Sequence, residues 1–294
     1  MNNFDDLFDN NLTGAKGLII TKEEFAAIKK AERDSAFALA DKTALEIAND
    51  GGRLRQYLDV QSRFERYGVV NALLVLAQNP AAVQLRGFKQ WKERGCAVQP
   101  GQTGIGIVEP QEYIRADGSP GIGYNVKKVF DITQVNARKL KSQPSPSFSE
   151  RQLMKALIYN APVKITAVDD LPDDACTRTS PISGEIQVCK GLDFAIAFRS
   201  LAQELAYASL TTGPEGQKDA VFSAFCTSYL LCQKYGVDTQ GFNFDIAPAI
   251  FEGMSAQDVK SELSQIRAAA EDISGRMAKQ LEAVQREPLR QEAR

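Results

Sequence analysis

Residues 85–104, LRGFKQWKERGCAVQPGQTG, decide how the first half of this chain is interpreted. Cations alternate there with the aromatic residues Phe88 and Trp91, and the spacing predicts a short helix over 88–94 that Gly95 ends. Lysine and arginine neutralise phosphates, and exposed aromatic faces stack on unpaired bases at about 1–3 kcal/mol per base. The stretch therefore indicates a nucleic-acid contact. The alternative is that Phe88 and Trp91 are core residues and only the cations are exposed.

The distribution of charge around this stretch favours the same interpretation. Residues 53–141 carry a net charge of +7, although the whole chain carries −2. A basic module inside a nearly neutral chain is the electrostatic pattern expected for a partner that is a polyanion. A solvated face that happens to be rich in lysine and arginine is the alternative.

A second cluster lies on a predicted strand, where Lys127 and Lys128 stand beside Tyr124 and Phe130. The two clusters together give our predicted nucleic-acid-binding residues: Arg86, Phe88, Lys89, Trp91, Lys92, Arg94, Tyr124, Lys127 and Lys128.

Periodicity predicts an α+β protein of two domains. Helical patterns cover 22–49, 54–67, 69–77, 88–94, 150–159, 194–210, 220–235 and 256–284, and Gly68 is expected to break or bend the helix between the second and the third. Strand patterns cover 105–108, 124–130, 163–168 and 185–189. The apolar seam of the last helix is expected to pack on the core of the chain itself, and self-association as a coiled coil is the alternative.

Several functional classes are excluded by composition. The chain has no histidine, which excludes Ser-His-Asp triads, Cys-His dyads and histidine-ligated metals. Its five cysteines include no CxxC pair, so a disulfide framework or a zinc ribbon is not expected. The acidic start has no apolar signal region, and the longest apolar run, 69–77, is too short to span a bilayer. We therefore expect a cytoplasmic protein without membrane contact.

A series of short motifs in the basic module resembles a known family. In order, the motifs are Asn79-Pro80, residues 85–91, Gly101 to Ile105, Glu109-Pro110 and residues 126–132. This order is similar to the N-terminal single-stranded-DNA-binding domain of the antirestriction protein ArdC. It is still more similar to the LtrC-like proteins of conjugative and integrative elements. The resemblance covers about residues 53–135 and implies binding of single-stranded DNA without sequence preference.

The second half resembles the zinc-metallopeptidase-like domain of the same family. In that family a helix carries HExxH, whose two histidines bind zinc while the glutamate activates zinc-bound water. The matching positions here are Gln203, Glu204 and Tyr207, and the third ligand of the family is expected to fall on Phe225. Carboxamide and phenol oxygens are poor zinc ligands beside imidazole. We therefore expect no metal, no cofactor and no catalysis in this zincin-like domain.

These observations predict five segments: an acidic helical segment 1–52, a DNA-binding domain 53–138, a linker 139–149, a degenerate peptidase domain 150–254 and a C-terminal helix with a charged tail 255–294. The resemblance implies a non-enzymatic accessory protein of a mobile element that binds single-stranded DNA. Two alternatives remain, a pseudopeptidase scaffold that holds a protein partner in its ligand-less cleft and a metallopeptidase with a non-standard metal site. A homo-oligomer formed through the last helix is a further prediction.

Overall fold

A computed structural model describes residues 21–115, 117–136, 147–180, 183–211 and 220–291, with side chains up to residue 283. Its helices are α1 (Lys22–Ala48), α2 (Gly51–Arg63), α3 (Val69–Gln78), α4 (Phe88–Glu93), α5 (Glu150–Ile158), α6 (Phe194–Thr211), α7 (Val221–Tyr235), α8 (Ala247–Ile250) and α9 (Ala256–Gln291). Its strands are β1 (Leu85–Gly87), β2 (Ile105–Ile114), β3 (Pro120–Asp131), β4 (Ile165–Val168), β5 (Thr177–Thr179) and β6 (Ile186–Cys189). The predicted α+β class is confirmed.

The first helices begin at residues that can cap them. Thr21 and Glu24 form a capping box at the start of α1. The Asp50 carboxylate accepts hydrogen bonds from the backbone N–H groups of Gly52 and Arg53 and so starts α2. The Asp50-Gly51-Gly52 sequence follows the predicted helix 22–49, and in the structure it opens the next helix. Gly51 is needed there because a Cβ at this position would lie 2.2 Å from the carbonyl oxygen of Phe244.

The first sheet is antiparallel and has the strand order β1-β3-β2. Arg86 lies directly opposite Phe130, and Gly106 lies directly opposite Lys128. Strand β1 has only three residues, and its sequence did not predict it.

The second sheet has the order β4-β6-β5, with β4 parallel and β5 antiparallel to β6. Helices α6 and α7 follow it and pack on each other. Strand β5 was not predicted from the sequence because it is a three-residue edge strand. The strand predicted over 163–168 begins at Ile165, whereas the helices predicted at 194–210 and 220–235 agree with α6 and α7 to within about one residue.

One hydrophobic core contains buried residues from both halves of the chain. Helix α9 contributes its apolar seam to this core: Val259, Leu263, Ile266, Ile273, Met277 and Leu281. The predicted packing of the last helix on the chain's own core is therefore confirmed up to residue 281. Because the core covers this seam up to residue 281, the same side chains are not free to form a coiled coil with a second copy.

Polar contacts also join the two halves. The hydroxyl of Tyr229 donates to the carboxylate of Asp59 at 2.6 Å, and Lys234 pairs with Glu65 at 2.7 Å. The predicted domain boundaries at 52, 138, 150 and 254 stay a prediction, and most of the predicted linker, together with residues 1–20, lies outside the described residues.

Within the described ranges, no helix combines the length and the apolar character that crossing a bilayer requires.

Candidate functional site

Asp131 fixes the segment that leads into the first candidate site. The residue is fully buried, and its carboxylate accepts hydrogen bonds from the backbone N–H groups of Val83, Gln84 and Thr133 and from the Thr133 hydroxyl, at 2.7–3.0 Å. Burial acts to raise the pKa of this carboxyl, but the four hydrogen bonds outweigh it and hold the pKa below the usual value. The carboxylate thereby attaches β1 to the end of β3.

Trp91 is buried, which corrects our prediction that it stacks on bases. Its ring is 0% exposed and packs with Cys96 and Val135 in a small second core. Its indole N–H donates to the carbonyl oxygen of Phe130 at 2.9 Å. Residues three apart on a helix are neighbours, so the spacing alone did not distinguish the two rings. The indole is the one that finds a hydrogen-bond acceptor on the sheet, at the carbonyl of Phe130. Trp91 fastens α4 to the sheet face that carries Phe130.

Arg86 lies on the same face, since residues directly opposite each other across two strands project to one side. The guanidinium lies 5.7 Å from the centre of the Trp91 ring, in cation–π geometry. Arg86 is half-buried, and its Nε is buried without a hydrogen-bond acceptor among the described residues. A partly desolvated guanidinium with no carboxylate partner in the described chain is suited to accept an anion with oxygen atoms.

The outer side of α4 carries further cations and the other aromatic residue. Lys89, Lys92 and Arg94 are exposed, and Phe88 is 47% exposed. Lys89 and Lys92 are three residues apart and Phe88 and Lys92 four apart, so these side chains are neighbours on the helix surface. An exposed ring beside two lysines can stack on a planar group while the ammonium groups contact its negative substituents.

Lys127 and Lys128 point to opposite faces of β3, which divides the predicted second cluster. Lys127 is 41% exposed and is paired with Glu109 at 2.9 Å. Lys128 is exposed and has no carboxylate at ion-pair distance among the described residues. It shares the face of Phe130 and Arg86, and it lies across β2 because Gly104 and Gly106 have no side chains there. We call Arg86, Lys89, Lys92 and Lys128 the cationic strip.

Tyr124 lies on the same face of β3 as Lys128, about 13 Å further along the strand. Its ring is 44% exposed, and the edge of Phe37 contacts it at a centroid distance of 5.8 Å. One part of the ring is therefore covered by α1 and another part is open to solvent.

Two amide side chains support this sheet, and we did not predict either of them as functional. Gln78 exchanges hydrogen bonds with the backbone N–H and C=O groups of Gly106 at 2.8 and 2.9 Å, and Asn71 does the same with Val108 at 2.8 and 2.9 Å. The two amides are seven residues apart, which is two helical turns, so they reach one strand edge from one side of α3. The signal in the sequence was Asn71, which interrupts an otherwise apolar run. These bonds close the free edge of β2 and keep the strip on a rigid sheet.

The second candidate site is an open pocket of about 230 Å³ between α6, α7 and β5. Its lining, which we call the degenerate pocket, consists of Thr179, Gln203, Glu204, Tyr207, Val221 and Ala224. Gln203 and Tyr207, at the positions where the resembled family carries its histidines, line the same pocket. The Glu204 carboxylate accepts a hydrogen bond from the Thr179 hydroxyl.

Phe225 does not line this pocket, which corrects the expected position of the third ligand. It packs against Phe242 and Phe244 at centroid distances of 4.9 and 5.4 Å. Helix α7 turns about 100° per residue, so a shift of one residue moves a side chain to another face. The residues of α7 that face the pocket are Val221 and Ala224.

These side chains do not fit the zinc ion that the resembled family would hold there. A carboxamide, a phenol and two apolar groups offer no strong ligand beside the single carboxylate, which is already bonded to Thr179. Within the described ranges, no three histidine, cysteine, aspartate or glutamate side chains are grouped so that they could hold a metal ion. Burial raises the pKa of Cys232 to about 12 and that of Cys226 further, so neither is a thiolate at neutral pH.

The segment that carries the first candidate site matches a known protein family. Residues 46–143 match the family model described as the N-terminal domain of the anti-restriction factor ArdC. The match includes every residue of the cationic strip. Residues 46–143 are ArdC-like. The ArdC-like segment extends from the end of α1 beyond β3, somewhat further in both directions than the motifs that we quoted from the sequence.

The fold is similar to that of one solved relative. The metal-free crystal structure of the antirestriction protein ArdC from plasmid R388 matches with a TM-score of 0.50 and 14% identity, over 72% of this chain and 86% of that one. The Mn(II)-bound structure of the same protein matches with a TM-score of 0.48 and 16% identity, over 72% and 85%. No curated protein matches the sequence. The first of these structures shows that the ArdC-like fold continues beyond the N-terminal domain, because the match covers more of the chain than residues 46–143.

Proposed function

We propose that this ArdC-like chain binds single-stranded DNA through the cationic strip, as a non-enzymatic accessory protein of a mobile or conjugative element. The observation that carries the proposal is Arg86. The residue is half-buried, its guanidinium lies over Trp91, and its buried Nε has no acceptor among the described residues. Phosphate oxygens would complete its hydrogen bonds in the bidentate geometry that arginine favours.

Single-stranded rather than double-stranded DNA is favoured by the exposed rings. Phe88 and Tyr124 each present part of an aromatic face, and only unpaired bases can stack on such faces. The strip lies on one sheet face and one short helix. Among the described residues, no long helix lies at the strip that could enter the major groove of a duplex. Contacts to phosphates and stacking carry little sequence information, so the binding is expected to be non-specific.

Fluorescence polarisation of labelled oligonucleotides tests the proposal. We expect the full chain to bind a single strand with micromolar or tighter affinity at about 50 mM salt and to weaken steeply as salt rises. Lys89→Glu combined with Lys92→Glu should weaken binding about tenfold or more, because two phosphate contacts become repulsive. Duplex DNA of the same length should bind more weakly.

The matched control is Lys155→Glu combined with Lys279→Glu. Both lysines are exposed, both lie outside the ArdC-like segment, and the variant has the same change in net charge. An equal loss of affinity in the control and in the strip variant would show that total charge alone governs binding, and the proposal would fail.

We further infer that the second half is a pseudopeptidase. The side chains at the degenerate pocket lack zinc ligands, and a glutamate without a metal has no polarised water to deprotonate. We expect purified protein to contain no stoichiometric zinc or manganese and to leave casein intact. Stoichiometric metal together with proteolysis that is lost in Glu204→Gln would contradict this and would favour a non-standard metal site.

A second candidate function is a scaffold that holds a peptide in the degenerate pocket. The pocket is open, and the Gln203 amide has no hydrogen-bond partner among the described residues, so it could serve an incoming backbone. The test is a pull-down in which Gln203→Ala and Tyr207→Ala together remove a partner while DNA binding is unchanged. A partner that is retained by this double variant would count against the scaffold.

The similarity to the R388 protein also suggests a context for the proposed function. That protein is called antirestriction, and we propose that this chain has a related task on transferred DNA. Restriction of incoming DNA in cells with and without the protein would test this. An equal efficiency of plasmid entry in both would contradict it.

A further inference from the structure

Two cysteines in the second sheet face each other across neighbouring strands. The antiparallel register pairs Thr177 with Val188, and one step further it pairs Cys176 with Cys189. The backbone N–H of Cys189 donates to the carbonyl oxygen of Cys176 at 3.0 Å. Directly opposite residues of such a hydrogen-bonded pair have Cα atoms about 5.5 Å apart. A disulfide requires about 4.4–6.8 Å, so the backbone already has the separation that a bridge needs.

The two side chains also project to the same side of the sheet. Opposite residues share a face, and neighbouring residues of a strand alternate between faces. Ile186 and Val188 pack in or against the core, so Cys189 lies on the other face together with Cys176. Both cysteines are half-buried, whereas the remaining three are buried. A small oxidant can therefore reach this pair from solvent.

The remaining cysteines have no comparable arrangement. Cys226 and Cys232 are six residues apart on α7, which separates them by about 9 Å along the helix axis and exceeds the reach of a disulfide. Cys96 packs beside Trp91 in the small second core.

We propose that Cys176 and Cys189 form a reversible dithiol–disulfide pair, a modification site oxidised by low-molecular-weight disulfides such as oxidised glutathione. One cysteine thiolate attacks the disulfide, forms a mixed disulfide and releases one glutathione thiolate. The second cysteine thiolate then attacks the cysteine sulfur of the mixed disulfide and releases the other glutathione. Two electrons pass to the oxidant, and the two thiol protons end on the two molecules of reduced glutathione.

The surroundings of Cys189 affect the speed of this exchange. Burial raises the pKa of its thiol, and the charges of Asp170 and Cys176 raise it further. Because only the thiolate reacts, we expect the step in which Cys189 attacks to be the slower of the two.

The bridge would act on a wall of the degenerate pocket. Strand β5 carries Thr179, which holds Glu204, and a bridge at Cys176 would tie the start of β5 to β6. Oxidation is therefore expected to fix the edge strand that borders the pocket. This inference does not depend on DNA binding or on the pseudopeptidase proposal.

The experiment uses the full-length reduced protein incubated with oxidised glutathione. Free thiols are counted after denaturation, and peptides are mapped under non-reducing conditions. We expect three of the five thiols to remain, a chain that stays monomeric in mass, and a peptide bridge between Cys176 and Cys189 that dithiothreitol reverses. Five remaining thiols, a stable glutathione adduct or a bridge to another cysteine would overturn the proposal.

Single variants sharpen the result. Cys176→Ser and Cys189→Ser should each lose the internal bridge and retain one glutathione on the remaining cysteine. Cys96→Ser is the matched control and should still lose two thiols on oxidation. Loss of two thiols on oxidation of Cys189→Ser would contradict the assignment of the bridge to Cys176 and Cys189. If a variant folds poorly, the peptide map of the unsubstituted chain still tests the proposal.

Discussion

The cationic strip and the degenerate pocket lie in one ArdC-like fold, yet they differ in whether their charged side chains have a partner. In the strip, Arg86 and Lys128 have no carboxylate partner among the described residues, and Trp91 and Asp131 hold the backbone around them. In the pocket, the one carboxylate is bonded to Thr179, and the other lining groups are neutral. The comparison teaches that one fold can carry the frame of both sites while only the strip has cations that lack a partner among the described residues.

The energetic contrast runs in the same direction. A half-buried cation without a partner is unfavourable until an anion arrives, so such a residue is retained at the expense of stability. The hydrogen bond between Thr179 and Glu204 instead satisfies both groups inside the chain. The strip therefore has a half-buried cation without a partner among the described residues, whereas the one carboxylate of the pocket is already satisfied within the chain.

The largest effect is expected when the support of the strip is removed. Asp131→Asn replaces an oxygen that accepts hydrogen bonds by an amide that donates, and it leaves buried N–H groups unpaired. We expect a loss of about 3 kcal/mol in the free energy of unfolding, measured with urea. Thr179→Val in the pocket is the comparison and should lose about 1 kcal/mol. Equal losses of unfolding free energy in Asp131→Asn and Thr179→Val would contradict the expectation that the strip is more rigidly supported than the pocket.

A pH titration of stability sharpens the same point. The folded-state pKa of Asp131 lies below its unfolded value of about 3.9, so its contribution is fully present above that pH and is lost as the pH falls through the folded pKa. Urea unfolding between about pH 5 and pH 2 should therefore show a fall in stability that is smaller in Asp131→Asn. An unchanged fall in the variant would assign the acid sensitivity to other carboxyl groups.

The next effect concerns the geometry of the strip. Arg86→Lys keeps the charge but loses the planar fork and the stacking on Trp91. We expect about a tenfold loss of affinity for single-stranded DNA in fluorescence polarisation. Arg151→Lys, at an exposed arginine of α5, serves as the control and should change nothing. Unchanged affinity in Arg86→Lys would mean that charge alone suffices at this position.

A smaller difference is expected between the two adjacent lysines of β3. Lys128→Glu should weaken DNA binding several-fold more than Lys127→Glu, because Lys127 is paired with Glu109 and points to the other face. Polarisation titrations of the two variants at one salt concentration measure this difference. Equal losses would place both faces of the strand in contact with DNA.

The smallest effect is expected in the pocket. Glu204→Gln keeps an acceptor for the Thr179 hydroxyl and should leave DNA affinity and metal content unchanged. Loss of a bound metal in this variant, measured by elemental analysis, would show that the pocket has kept some of its chemistry.

The sequence predicted the larger elements and the location of the strip because long periodic segments carry strong local signals. Helices such as α6 and α7 were predicted to within about one residue. The choice between Phe88 and Trp91 was not accessible, because it depends on the carbonyl of Phe130, which is 39 residues away in the chain. Strands β1 and β5, with three residues each, exist only through their pairing with longer neighbours.

The pocket shows a second limit of the sequence. The positions of Gln203 and Tyr207 followed from the resemblance to a family that carries HExxH on this helix, and the structure puts both at the pocket. Phe225 does not line the pocket, because neighbouring residues of a helix point about 100° apart and the residues of α7 at the pocket are Val221 and Ala224. The role of Asp131 was also missed, since two of its four donors, the N–H groups of Val83 and Gln84, lie 48 and 47 residues away in the chain.

The salt dependence of single-strand binding tests the central claim most directly. If about three or four cations of the strip contact phosphates, the logarithm of the binding constant should fall with the logarithm of salt with a slope of about −2 to −3. Arg86→Ala should reduce the magnitude of that slope by about 0.7. Binding without salt dependence, or an unchanged slope in Arg86→Ala, would contradict the account.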